Sequence, residues 1–289
     1  MVLEKFTKAE PNASVLIEQY LAKPIKVKQL TKSVLVIRAT LLSLLLITIY
    51  GFYFYDYKGI NVFEAIIGTI ANFKIMFTEA HFNNFTFTEG VYAATVTLSL
   101  AVLTTLFGAM IALFLGLLAA RNLSTPGVSN AIRGVVAIVR AVQTVLWVLI
   151  FAIAAGLGSV AAVVGMTFHS VSYLVKVYSE SFEELDEGVI EALKASGASW
   201  WQIVFQAVIP STMSYLISWT FLRFEINFGV AIAMGAAAAA GGIGFELFMA
   251  SAFYYDIREL GTITYFVLFI AIMLEVLATK IKSKLRVSH

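Results

Sequence analysis

Six apolar runs dominate this chain, at about residues 34–55, 92–119, 135–156, 160–177, 211–234 and 262–279. Each approaches or exceeds the roughly 20 residues a helix needs to cross a hydrocarbon core. Few folds suit such runs. Lipid offers backbone N–H and C=O groups no partner, so each run must satisfy its own hydrogen bonds as a helix. A β-barrel is excluded, because the runs are continuous and not short and alternating. Composition agrees: 60% of the 289 residues are hydrophobic and 13% charged, about half the charged fraction of a soluble domain. The expected fold class is an all-α integral membrane protein with six spans. The third span is read as one helix with Arg140 near its start, followed by a tight Gly156-Leu-Gly-Ser159 turn.

Basic residues orient the spans. Lys5, Lys8, Lys23, Lys26, Lys28 and Lys32 precede the first run, and Lys280, Lys282, Lys284 and Arg286 follow the last. Arg121 and Arg133 lie between the second and third runs, whereas 56–90 holds only Lys58 and Lys74. The reading is a multi-pass protein of the cytoplasmic (inner) membrane with both termini inside. Residues 1–33 form a cytoplasmic tail, 34–280 a membrane domain, and 281–289 a second tail. Segment 56–90 is external, and 181–210 is a cytoplasmic hairpin. The first run would act as a signal anchor, since the polar, basic stretch before it does not resemble a cleavable signal. Within 62–73 the chain forms either an interfacial amphipathic helix or, preferably, a short helix packed on the spans.

The hairpin is the least expected part of an apolar chain. Asp186 and Glu187 suit a helix N-terminus. Val189, Leu193 and Ser196 share one face of the first short helix, while Glu191 and Lys194 lie on others. Gly197 fits the left-handed residue that ends it. Ser199-Trp-Trp-Gln202 matches a capping box, so a second helix is expected from Trp200 to about Val208. Pro210 would then open the fifth span. Trp200 and Trp201 suit the membrane–water boundary. On these signals alone the segment is either a docking surface or a structured loop joining two spans.

The pattern Glu191-Ala192-Leu193, three residues, Gly197, twelve residues, Pro210 resembles the EAA motif of ABC importer membrane subunits. That motif reads Glu-Ala-Ala, three residues, Gly, nine residues, Ile, one residue, Leu-Pro. Leu193, Ala207 and Ile209 depart from it but stay apolar. The resemblance implies a type I ABC importer permease whose hairpin, with Ala198, Ser199 and Trp200, couples to a cytoplasmic ATPase. No Gly-x-x-x-x-Gly-Lys-Ser/Thr loop is present. ATP and Mg would therefore belong to two separate ATPase subunits, and no cofactor is expected here. A second copy of the chain, an extracytoplasmic solute-binding protein and membrane lipid are the other implied partners; nucleic acid is not. Ala119-Ala-Arg-Asn-Leu-Ser124, His169-Ser170, Leu193-Lys-Ala-Ser-Gly197, Arg223-Phe-Glu-Ile-Asn227 and Ala240-Gly-Gly-Ile-Gly-Phe-Glu-Leu247 are similar to the phosphonate-type permeases. That family implies import of phosphonate, phosphite or a related phosphorus oxyanion. The run Met234-Gly-Ala-Ala-Ala-Ala-Ala240 departs from its bulkier pattern, which leaves the solute open.

Arg223, Glu225 and Asn227 sit inside the fifth run. Arg223 and Asn227, four apart, share a face; Glu225 points elsewhere. Span four offers partners in His169, Ser170, Ser172, Tyr173 and Lys176. Two readings stand: a translocation path that attracts a small anion, or a polar network that fixes helix packing. Gly241, Gly242 and Gly244 likewise read as a re-entrant bend or gate, or as small residues for close packing. There is no cysteine, and His81, His169 and His289 give no metal motif. No nucleophile triad is visible, so catalysis is not expected. The rivals are an ABC permease for another solute, a self-contained secondary transporter or channel, and a non-transporting membrane scaffold.

Overall fold

The computed structural model describes residues 32–55, 59 and 61–287, with side chains to residue 280. The expectations for the N-terminal tail and for His289 lie outside the described residues. Contacts divide the chain into two units after Ala65. The first contains α1 (Lys32–Phe54), apolar on every side and with no buried residue. A helix hydrophobic all round is suited to lipid. The start of α2 (Val62–Thr78) also falls in this unit.

The second unit is the bundle. Helix α3 (Phe87–Ala119) is 33 residues long, or about 50 Å. Its start is a capping box: Thr86 Oγ1 accepts the Glu89 N–H, and Glu89 Oε2 accepts from Thr86 N. Gly108, Ala112 and Gly116, spaced by four, form its contact face against α6 (Ser159–Glu183). A Cβ on Gly108 would lie 3.0 Å from Ser170 Cβ, and one on Gly116 3.1 Å from Tyr178 Cβ. In lipid, where apolar burial gives little drive, such close backbone approach supplies much of the helix association.

The third run is not one helix. It forms α4 (Pro126–Ala141) and α5 (Thr144–Ala155), bent by 91°. No Pro or Gly lies at the break. Trp147 Nε1 donates to the Val139 carbonyl at 3.0 Å, taking up an acceptor the broken ladder leaves free. Trp147 also packs edge-on against Phe168 of α6. Gly156 and Gly158, both with positive φ, make the expected turn into α6. Among the described residues five helices are long and apolar enough to cross a membrane, or six if the bent pair counts as one span.

After α6 come α7 (Glu187–Ala195) and α8 (Trp200–Ile203). The chain then passes through a π-helical turn, Val204–Val208, directly into α9 (Ile209–Ala237). The expected stop before Pro210 does not occur. Proline brings no N–H to the α-ladder, and the wider turn carries the helix across that gap, with the Ile209 N–H bonding to the Val204 carbonyl. Beyond α9 a tight turn leads to α10 (Ile243–Phe248), a second π-turn (Met249–Phe253) and α11 (Ile257–Val287).

One corner of the bundle is pinned by Asp256. Its Oδ1 accepts the Arg258 and Glu259 N–H groups at 3.0 and 3.1 Å, and its Oδ2 accepts from Asn83 Nδ2 at 3.1 Å. These bonds, that from the Glu259 N–H foremost, hold the carboxyl below the usual aspartate range. A depressed folded pKa stabilises above the unfolded value, about 4, and that support is lost as pH falls through the folded value. Unfolding followed in detergent from about pH 6 to 3 should therefore be less acid-sensitive in Asp256→Asn than in the parent. Residues 76–81 close the same corner. Tyr265 Oη donates to the Phe77 carbonyl, Thr262 to that of His81, and Arg258 pairs with Glu79 at 2.8 Å. From Ile66 onward, then, α2 behaves as a helix packed on the bundle.

Candidate functional site: a docked hairpin and a buried polar cluster

The hairpin forms by the local chemistry expected of it. Asp186 Oδ1 accepts the Gly188 N–H at 2.8 Å and caps α7. Gly197 ends that helix at φ +84°. Its N–H bonds to the Lys194 carbonyl and that of Ala198 to the Leu193 carbonyl, both at 3.0 Å. Ser199 and Gln202 complete a two-way capping box. Of the expected face Val189, Leu193 and Ser196, only Leu193 is partly buried, and Ser196 is exposed. Ile190 is buried with Leu193 packed beside it, while Val189 is 51% exposed. Contact with the bundle, which the helical pattern alone does not contain, selects Ile190.

A frame holds the hairpin to the bundle. Trp200 Nε1 donates to the Leu123 carbonyl at 2.8 Å, so this indole is tied to protein, while Trp201 stays 55% exposed. Glu183 Oε1 accepts from Arg133 at 2.5 Å and from the Arg121 N–H at 2.6 Å. Asn122 Nδ2 donates to the Phe182 carbonyl, and Ser129 Oγ to that of Ala119. Sequence reasoning gave Arg121, Asn122, Arg133 and Glu183 no role in this frame; their partners lie 50 to 62 residues away. Val189, Glu191, Ala192, Ser196, Gly197, Ser199 and Pro210 are left exposed. Ala198 and Trp200 are half-buried against the frame. One side of the hairpin is anchored and the other open, as a docking surface requires.

Inside the bundle, Arg223 and Asn227 do share a face, and both are buried. Arg223 Nε donates to Ser170 Oγ at 3.1 Å, and its guanidinium lies 5.2 Å from the centre of the Tyr173 ring. Asn227 Nδ2 donates to Ser170 Oγ at 3.1 Å and to Thr105 Oγ1 at 2.9 Å. Three helices, α3, α6 and α9, meet in this cluster. His169 is half-buried and within electrostatic reach of Arg223. Glu225 is half-buried. Lys176 faces Glu180 at 3.7 Å on an exposed part of α6. Among the described residues no group of three or more His, Asp or Glu side chains could hold a metal.

The glycine turn combines a sharp bend with close packing. Gly241 and Gly242 adopt φ +81° and +74°, which the reversal of direction requires. Gly244 is there for space: a Cβ would stand 1.7 Å from the Ile232 carbonyl oxygen. Thr97 Oγ1 accepts the Ile243 N–H at 2.9 Å and ties the turn to α3.

An all-helical, multi-pass bundle with a docked hairpin between α6 and α9 is the arrangement of a type I ABC importer membrane domain. The chain belongs to the family of binding-protein-dependent transport system inner membrane components, whose model matches residues 112–282, more than half its length. It is 33% identical over 157 residues to the phosphate-import permease protein PhnE of Mycolicibacterium smegmatis, covering 54% of this chain and 29% of that protein. It is 33% identical over 152 residues to the phosphite transport system permease protein PtxC of Stutzerimonas stutzeri, covering 52% and 55%. The chain thus spans about a third to a half of these relatives' length. A chain of the MetNI methionine ABC transporter in an inward-facing conformation has the same fold, with TM-score 0.63 and 20% identity over 71% of this chain and 99% of that one.

Proposed function

We propose that this chain is the permease subunit of an ATP-driven, binding-protein-dependent importer for a small phosphorus oxyanion such as phosphonate or phosphite. Two copies pair around the path, with both termini in the cytoplasm. Two separate ATPase subunits bind ATP and Mg and push on the exposed faces of the hairpins. An extracytoplasmic binding protein delivers the solute. The observation that carries this reading is the hairpin itself, rigidly framed on one side by Trp200, Arg133 and Glu183 and open along Glu191, Ala192 and Gly197.

The cargo rests on the likeness to phosphate- and phosphite-import permeases and on a buried guanidinium. A second reading, import of an amino acid, draws on the shared fold with the methionine transporter. Reconstitution with the ATPase and binding protein separates them. The complex is expected to accumulate phosphite or methylphosphonate only with ATP, and the chain alone to hydrolyse none. Accumulation of methionine instead would overturn the cargo. ATP-independent uptake by the chain alone would overturn the importer reading.

A further inference from the structure

Irregular backbone at membrane depth is tolerated where it is buried in protein or lines water. The 91° break between α4 and α5 is not buried: Arg140, Ala141 and Gln143 are all exposed, and Val142 is half-buried. An arginine exposed to lipid would cost about 2.5–3.5 kcal/mol or more. The break therefore calls for water or a polar neighbour in front of it.

Two arginines and a histidine gather around the break. His169 of α6 stands beside the Val142 carbonyl and within electrostatic reach of both Arg140 and Arg223. His169 and Tyr173, four apart, lie on one face of α6, and Arg223 is stacked at that Tyr173 ring. Two buried polar atoms here have no hydrogen-bond partner, Arg223 Nη2 and His169 Nδ1, and Arg223 is only 3% exposed. The twelve-residue α5 begins at the same break, and its N-cap, Gln143, makes no side-chain cap hydrogen bond. Its unsatisfied N–H groups add partial positive charge. Glu225 is two residues from Arg223, off the face that Arg223 shares with Asn227.

We infer that the α4–α5 break, with Arg140, His169 and Arg223, forms an oxyanion subsite on a water-filled part of the path. Arg140 supplies the exposed cation that meets a solvated anion, and Arg223 the desolvated donor behind it. The subsite deepens the proposed transport of an oxyanion and rests on that reading for its ligand, but its position and charge can be measured without transport.

The chain has no cysteine, so Gln143→Cys creates a unique thiol at the break. In the full-length protein reconstituted with its ATPase, anionic and cationic methanethiosulfonates of similar size report local water and charge. The anionic reagent is expected to react at least tenfold faster than the cationic one, relative to their rates with free thiol. Adding Arg140→Gln should reduce that preference severalfold, and Arg140→Lys should retain it. Millimolar phosphite or inorganic phosphate should slow the anionic reagent. A thiol inert to both reagents, or a preference unchanged by Arg140→Gln, overturns the subsite. If the charge preference holds while neither anion protects and no phosphorus oxyanion is transported, the cargo fails and the cationic break stands, with another anion as its ligand.

Discussion

Gly244→Ala should prevent the bundle from closing. The added Cβ would stand 1.7 Å from the Ile232 carbonyl oxygen and 2.6 Å from its carbon. Both are backbone atoms of α9, so no rotamer change relieves the contact. Gly235 closes the same junction from the other side, with a Cβ position 2.7 Å from the Gly241 carbonyl oxygen. Either the turn detaches from Thr97 or α9 moves. Overpacking a close backbone contact of this kind costs about 3 kcal/mol or more. The expected readout is a large fall in the fraction recovered as a monodisperse complex and in its unfolding temperature. Gly229→Ala, in the same helix with nothing within 4 Å of the new Cβ, should behave like the parent. A normal yield and unfolding temperature for Gly244→Ala would show that the turn does not pack as described.

Arg223→Met should do the opposite, leaving assembly intact and removing transport. The substitution loses one charge-assisted hydrogen bond to Ser170, about 1.5–3 kcal/mol. It also removes the cost of holding a desolvated guanidinium inside the bundle at membrane depth, about 2.5–3.5 kcal/mol. These contributions nearly cancel. Ser170 keeps Asn227, and Asn227 keeps Thr105, so the three helices stay joined. Uptake of an oxyanion should fall at least tenfold while the complex purifies normally. A misassembled complex would instead identify the cluster as the polar network that fixes packing, the alternative its sequence also permits.

These two residues illustrate what the sequence makes legible. Features set by neighbours within a few positions were readable: the Asp186 cap, Gly197 in the left-handed region, the Ser199–Gln202 box, and Arg223 and Asn227 on one face. The four-residue spacing of Gly108, Ala112 and Gly116 was equally present and would have marked the α3–α6 contact. Features set by distant neighbours were not readable. The break at Val142–Gln143 has no Pro or Gly, and the contacts Trp147 makes with Val139 and Phe168 accompany it. The Arg133–Glu183 pair spans 50 residues. Ile190 replaces Val189 in the buried face because the frame, not the helical period, chooses the angle at which α7 docks. At Pro210 the local rule holds, since the proline sits in the first turn of α9, but the preceding π-turn runs into that helix without a stop.

The central claim is that an ATPase drives this membrane domain through the hairpin, and Gly197→Val tests it most directly. Gly197 sits at φ +84° with open space around it. A β-branched residue there is strained by its backbone alone, so the bend between α7 and α8 distorts while the bundle is untouched. Uptake should be measured in proteoliposomes containing the variant, its ATPase, the binding protein and phosphite. The account predicts an intact membrane domain in which binding-protein-stimulated uptake is lost, through uncoupling or release of the ATPase. Normal stimulated uptake by Gly197→Val would contradict it.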